Sequence, residues 1–295
     1  MDIILVPGFW LDASSWADVT PPLTAAGHKV YPLTLPGLES ADAPRAGIGL
    51  RTHIDAVVAK IDSFDAPVVL VGHSGGGAII HGAVDARPDR VARAIYVDSG
   101  PLGEGGVIND ELPAGGDDVP LPAWELFEDE DLTDLTDELR AMFRARAIPQ
   151  PRGVAQDRQQ LTDVRRYEVP VTVIACEFPS AMLTEMIAGG HPYVAELGRI
   201  REVDYVDLPT GHWPQFTRPA ELGAAILAAV DRTPGELTRP GASPPVFHLP
   251  RQHPPAVSGR TGPGPLPASR SGRERPSRCA WPASWPGAHS GQSAG

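Results

Sequence analysis

The stretch Val68-Val69-Leu70-Val71-Gly72-His73-Ser74-Gly75-Gly76-Gly77-Ala78-Ile79-Ile80 carries the clearest chemistry in the chain. Gly72-x-Ser74-x-Gly76 has the spacing of a serine held on a sharp turn between a strand and a helix. A serine hydroxyl attacks a carbonyl when it projects clear of its backbone beside a base. Gly72 and Gly76 leave room for the strand and the helix to converge. The pentapeptide alone is weak in a glycine-rich chain, but an apolar run precedes it and a helical pattern follows. The start of a helix also favours developing negative charge. The plain structural alternative is a Gly-rich turn with an incidental serine. A phosphate loop fits worse, because no Gly-Lys-Ser/Thr follows and the spacing departs from Gly-x-Gly-x-x-Gly.

A serine nucleophile needs a proton acceptor. Six histidines precede residue 233: His28, His53, His73, His81, His191 and His212. In a strand–turn–helix site of this kind the base follows the last strand. Only His212 does so, in Thr210-Gly211-His212-Trp213-Pro214. The other five have structural readings: His28 opens a strand, His53 and His81 lie in helices, His73 neighbours the serine, and His191 sits in a Gly-Gly-His-Pro turn. Charge on an attacked carbonyl oxygen needs two preorganised N–H donors. One candidate is Gly75, after the nucleophile. The other is Phe9, in the loop Pro7-Gly8-Phe9-Trp10, with Trp10 beside it.

Strand-length apolar runs alternate with helical patterns. Strands are expected at Ile3–Val6, His28–Leu35, Val68–Val71, Ala92–Val97, Val171–Ala175 and Glu202–Leu208. Helices are expected near Ser15–Ala26, Leu50–Ser63, Ala78–Ala86 and Pro219–Val230, the second with Ile54, Val57, Val58 and Ile61 at helical spacing. This alternation predicts βαβ units and a mostly parallel sheet of about six strands flanked by helices. Over 70 residues separate Val97 from Val171, too many for a structureless loop. They predict a small helical cap, about 102–168, inserted at the carboxyl edge. Within it the acidic stretch from Trp124 to Arg146 reads as helical, and Glu128-Asp129-Glu130-Asp131 as its solvated face.

Composition bounds the rest. The chain has 295 residues, 25 Lys+Arg against 37 Asp+Glu, and a formal net charge of -12. Such a balance argues against nucleic-acid or anionic-membrane partners, which need a positive field. Two cysteines, Cys176 and Cys279, make neither a disulfide framework nor a Cys-based zinc site. The opening Asp2-Ile3-Ile4-Leu5-Val6 lacks the basic segment of a signal peptide. The cytoplasm is therefore the expected compartment, with Cys176 free. From Thr233 to Gly295, 30 of 63 residues are Pro, Gly or Ser, and the net charge there is +5. Residues 233–295 read as a disordered tail that buries too little apolar surface to offset its ordering entropy.

Residues 1–232 resemble the α/β-hydrolase superfamily. Leu5-Val6-Pro7-Gly8 through Trp16, then Ala25-Ala26-Gly27-His28-Lys29-Val30, is similar to the methylesterase and hydroxynitrile-lyase branch and its bacterial esterase relatives. Gly211-His212-Trp213 and Pro219 resemble that branch's histidine loop. The resemblance implies Ser74 as nucleophile, His212 as base, and Phe9 and Gly75 as oxyanion donors. Two departures stand out. Pro7 replaces a histidine behind the oxyanion loop. The acid that usually follows the strand Val171–Ala175 is also missing, since the chain reads Cys176-Glu177-Phe178-Pro179 there. Asp98, ending the strand before it, is the favoured acid, a placement some lipases of this fold use. Glu177 is the alternative. Asp98 also has a plain reading as a loop cap.

The implied function is cleavage of a small-molecule carboxylic ester, with a lactone or thioester behind it and no metal or organic cofactor required. Trp10 with Trp124, Leu126, Phe127 and Phe143 of the cap would shape the substrate pocket. A hydroxynitrile-type lyase would use the same triad, but that branch relies on a lysine near the site. Lys29 and Lys60 lie on no carboxyl-edge loop. A non-catalytic ligand-binding relative is the third reading. The oligomeric state stays open. One outcome follows from composition alone: truncation after Arg232 should leave the melting temperature nearly unchanged by calorimetry, whereas a large fall would show that residues 233–295 dock on the domain.

Overall fold

The computed structural model describes residues 1–232, and the reading of residues 233–295 as a tail lies outside the described residues. Six strands form one sheet: β1 Asp2–Val6, β2 Lys29–Pro32, β3 Val68–His73, β4 Val91–Val97, β5 Val171–Ala175 and β6 Val203–Asp207. Their order is β2-β1-β3-β4-β5-β6, and every pairing is parallel. Parallel strands need crossovers on the faces, which explains why β3 is buried at all six positions.

Side-chain alternation divides the core. Ile3, Leu5, Val69, Val71, Ile95, Val97 and Ile174 point to one face. They meet Trp16, Leu23 and the helix α5 (Pro219–Val230) through Leu222 and Ile226. Ile4, Val6, Leu70, Tyr96 and Val173 point to the other face, where Ile54, Val57 and Ile61 of α1 (Leu50–Asp62) pack with Ile79 and Ile80 of α2 (Gly75–Ala86).

Register brings the chemistry to one edge. Val6 pairs with Gly72, His73 with Val97, Val97 with Ile174, and Ala175 with Asp207. The residues just past β1, β3, β4 and β5 therefore share the carboxyl end of the sheet, where open parallel sheets place their sites.

Several expected boundaries change. The stretch expected as one helix, Ser15–Ala26, is a 3-10 turn at Ala13–Trp16 and a short helix at Pro21–Ala25. Pro21 and Pro22 lack the N–H needed to continue a preceding helix. The helix α2 starts at Gly75 rather than Ala78. In the cap only α3 (Asp137–Arg146) is a longer helix; Thr136 accepts from the Leu139 N–H at its start. Trp124–Leu126 is a 3-10 turn, and Asp118–Val119 pairs antiparallel with Gln150–Pro151. A further helix, α4 (Ser180–Ala188), lies between β5 and β6. Among the described residues no helix is long and apolar enough to cross a membrane.

Ile226 is fully buried between α5 and the sheet. Ile226→Ala should lower the unfolding free energy by about 2–5 kcal/mol in a denaturant titration, with the m-value unchanged.

Candidate active site

Ser74 sits between β3 and α2 at φ 53° and ψ -128°. A non-glycine residue there is strained, at a cost of order 1–3 kcal/mol. The surroundings enforce the turn. A Cβ on Gly72 would lie 2.6 Å from the Gly76 carbonyl oxygen, and one on Gly76 would lie 2.7 Å from the Val6 and Pro7 oxygens. Ser99 Oγ donates to the Ser74 carbonyl at 2.6 Å and holds the turn from the β4 side. The serine hydroxyl, turned away from the backbone, donates to His212 Nε2 at 2.9 Å.

The imidazole of His212 continues the line. Its Nδ1–H donates to Asp98 Oδ2 at 2.7 Å. Glu177 Oε1 lies farther from the same nitrogen, at 3.5 Å. Asp98 is the residue after β4, at φ 42°. Its other oxygen, Oδ1, accepts the backbone N–H groups of Cys176 and Glu177, both at 3.1 Å. So one carboxylate oxygen is anchored by the β5 terminus and the other is aimed at the imidazole. Asp98 and His212 are 2% and 1% exposed, which keeps water from competing for that bond. Asp98, Glu177 and His212 are also the cluster whose chemistry could suit a metal ion. The 2.7 Å separation of Nδ1 and Oδ2 is instead that of a charge-assisted hydrogen bond, with the proton between them.

The loop holding His212 is fixed by the cap. The His212 N–H donates to the Asp131 carbonyl at 2.9 Å, and the Gly211 N–H to the Thr133 carbonyl at 3.1 Å. A Cβ on Gly211 would collide with Asp131 O and Thr133 O, so glycine is required by the close approach. The expectation that Glu128–Asp131 is only a solvated face is therefore corrected at Asp131. It is buried, and its carboxylate accepts the Glu128 N–H at 2.9 Å. The charge run hid one inward residue because it turns on itself instead of forming a helix.

Phe9 lies against the turn, and a Cβ on Gly75 would meet its ring at 2.5 Å. The N–H groups of Phe9 and Gly75 enter no backbone–backbone hydrogen bond among the described residues. Trp10 is held at φ 64°, and its indole N–H donates to the Val119 carbonyl at 3.0 Å. That bond ties the loop after β1 to the cap.

The pocket expectation needs correcting. Trp10, Trp124 and Phe127 do not line the cavity beside Ser74. They join Phe143 and Trp213 in an aromatic cluster, with Phe127 and Phe143 centroids 5.4 and 5.2 Å from Trp213. This cluster backs the histidine loop. The cavity, about 610 Å³, opens from Ser74 and Gly75 between the segment after β4 and the segment containing α4, through Leu102, Ile108, Leu183, Tyr193 and Leu197. The apolar spacing of Leu183, Met186 and Ile187 was the available signal for α4. The contacts of a cap with few regular elements leave no such signal.

Electrostatics sort the remaining groups. Burial, and then the nearby His212, holds His73 well below the ordinary histidine range, so it is neutral at pH 7. Burial and the carboxylates Asp98 and Glu177 push the Cys176 thiol and the Tyr193 phenol well up. Cys176 is therefore a protonated, inert thiol. In the cavity wall, burial pushes Glu196 up, but hydrogen bonds from His81 and Arg166 outweigh it and bring the carboxyl to about 2. Arg166 Nε donates to Glu196 at 2.7 Å, and Arg166 also pairs with Asp85 at 3.2 Å, tying the wall to α2.

Residues 3–225 match the model of the alpha/beta hydrolase family, and the chain belongs to that family. It is 32% identical over 100 residues to a carbendazim hydrolyzing esterase of Nocardioides sp. (strain SG-4G), covering 33% of this chain and 41% of the relative. It is 31% identical over 109 residues to Methylesterase 8 of Arabidopsis thaliana, covering 32% of this chain and 36% of that one. The matches thus span less than half of either relative. Among solved structures, an extracellular α/β-hydrolase from a Paenibacillus species superposes with a TM-score of 0.62 at 21% identity, covering 78% of this chain and 98% of that chain.

The geometry makes a test that needs no substrate. An amide at position 98 cannot both accept from Cys176 and Glu177 and accept from His212 Nδ1–H, so Asp98→Asn should move the ring proton to Nε2. Nitrogen-15 NMR of the imidazole should show that change, and should show no change of tautomer in Glu177→Gln.

Proposed function

We propose that the protein hydrolyses small carboxylic esters through an acyl-enzyme on Ser74. The observation that carries this reading is one imidazole between two oxygens, 2.9 Å from Ser74 Oγ and 2.7 Å from Asp98 Oδ2. As Ser74 Oγ attacks the ester carbonyl carbon, His212 Nε2 takes its proton. Asp98 stabilises the imidazolium and keeps Nδ1 protonated. The carbonyl oxygen becomes an oxyanion facing the N–H groups of Phe9 and Gly75, at the start of α2, where the helix dipole also favours negative charge. Collapse breaks the bond to the leaving oxygen, which takes the proton from Nε2 and departs as the alcohol. Water then repeats the sequence: it gives a proton to Nε2, attacks the acyl carbon and releases the acid, and Ser74 regains its proton.

The names of the relatives support ester cleavage, one being a carbendazim hydrolyzing esterase and another a methylesterase. The cavity of about 610 Å³, in which Leu102, Ile108, Leu183 and Leu197 stand beside Glu104, Asp110, Glu111, Glu196 and Arg199, supports a small substrate. The lyase reading loses support from its missing lysine. Lys60 Nζ lies over the rings of Tyr31 and Phe64, 4.3 and 4.9 Å from their centroids, and Lys29 starts β2 at the opposite end of the sheet.

Steady-state kinetics on a panel of p-nitrophenyl and methyl esters tests the proposal. Ser74→Ala should abolish turnover. Asp98→Asn should lower kcat by about 10³- to 10⁴-fold with little change in KM, while Glu177→Gln should cost about tenfold or less. The reverse ranking of the two acid variants would transfer the acid's role to Glu177. Cyanohydrin cleavage without ester hydrolysis would establish the lyase, and tight binding without turnover the non-catalytic relative.

A further inference from the structure

We propose that His73 and Gln215 form a positioning pair that holds His212 by its main chain and so keeps the imidazole in line with Ser74. This rests on the ester-hydrolase reading above. His73 immediately precedes Ser74, and Gln215 follows His212 by three residues in the short helix Pro214–Thr217. They are 0% and 1% exposed. His73 Nε2 lies 2.7 Å from the carbonyl oxygen of His212. Gln215 Nε2 lies 3.0 Å from His73 Nδ1.

The chemistry of these atoms admits one arrangement. A carbonyl oxygen only accepts, so His73 must carry its proton on Nε2. A neutral ring then has a lone pair on Nδ1, and the Gln215 amide N–H donates to it. Reversing the amide would place its oxygen on Nδ1, draw the proton there, and leave two lone pairs facing each other at His212 O. The arrangement leaves Gln215 Oε1 buried with no hydrogen-bond partner among the described residues. An apolar pair could fill the same space without that cost, so the donor to His212 O is what the pair adds.

With this bond, both main-chain groups of His212 are held from different parts of the fold. The cap takes the N–H through the Asp131 carbonyl, and the nucleophile turn takes the C=O through His73. The ring of His73 is itself seated against Gly8, where a Cβ would come within 2.6 Å of Nδ1. Ser74 and His212 are thereby registered through one side chain adjacent to the nucleophile. His73 touches no reacting atom and acts through His212.

The test compares His73→Leu, which removes the donor, with His73→Gln, whose amide nitrogen can reach the place of Nε2. Turnover of p-nitrophenyl acetate and the rate of Ser74 labelling by a fluorophosphonate are measured well below each variant's Tm. His73→Leu should lower kcat and the labelling rate about 10- to 100-fold, as a misplacement near 1 Å does, with KM within about twofold. His73→Gln should restore most of the loss. Nitrogen-15 NMR of the wild type should find the His73 ring neutral and protonated on Nε2, a readout that stands even if His73→Leu does not fold. Wild-type kcat in His73→Leu, no recovery in His73→Gln, or a proton on Nδ1 would each overturn the pairing. A wild type that neither cleaves esters nor takes the label would overturn the hydrolase reading instead, and the NMR assignment would still decide the pairing.

Discussion

Everything at the carboxyl edge depends on the His212 ring staying between two oxygens whose positions come from different strands. Hydrogen bonds keep their heavy atoms within about 3.2 Å and weaken steeply once the angle falls below about 120°. Ser74 Oγ and Asp98 Oδ2, at 2.9 and 2.7 Å, must therefore be placed by rigid elements. The sheet register supplies that rigidity. His73 opposite Val97, and Val97 opposite Ile174, carry the Ser74 turn, Asp98 and the anchoring N–H groups of Cys176 and Glu177 to one level. The strain is local to the site. Among the described residues the non-glycine positive-φ positions are Trp10, Ser74, Asp98 and Asp134. The first three lie directly on that edge, and Asp134 accepts from Thr210 Oγ1 in the histidine loop.

The cap contributes less as a pocket lid than as a support for the histidine. Its main chain at Asp131 and Thr133 holds the loop from one side, and its aromatic rings back Trp213. The cavity beside Ser74 is lined by the first part of the cap, just after β4, and by the segment around α4. The wall around α4 is in turn tied to α2, through Glu196, Arg166 and Asp85.

Much of this was legible in the residues. Continuous apolar strands, their spacing and the Gly72–Gly76 turn specify a parallel sheet and a projecting serine, because those features are local. Asp98 could be nominated from its place at a strand end, since strand ends share an edge in any parallel sheet. The cavity was not legible. Trp124 and Phe127 suggested a pocket by their chemistry, yet whether an aromatic ring faces a ligand or another ring is decided by tertiary contacts. Asp131 was hidden for a related reason: a charge run signals solvent on average, and a single carboxylate turned inward to its own loop leaves no periodic trace. Gln215 and His73 are ordinary polar residues in sequence, and only tertiary structure joins Gln215 to the His73 ring and that ring to the His212 carbonyl.

The central claim is that Ser74 is activated by its geometry with His212 and Asp98. The most direct measurement is labelling of the intact protein by a fluorophosphonate, followed by peptide mass spectrometry. Stoichiometric modification of Ser74 at neutral pH is expected, with the rate reduced severely in His212→Ala and strongly in Asp98→Asn. A folded wild-type protein that takes up no label, or that carries it on a residue other than Ser74, would contradict the account.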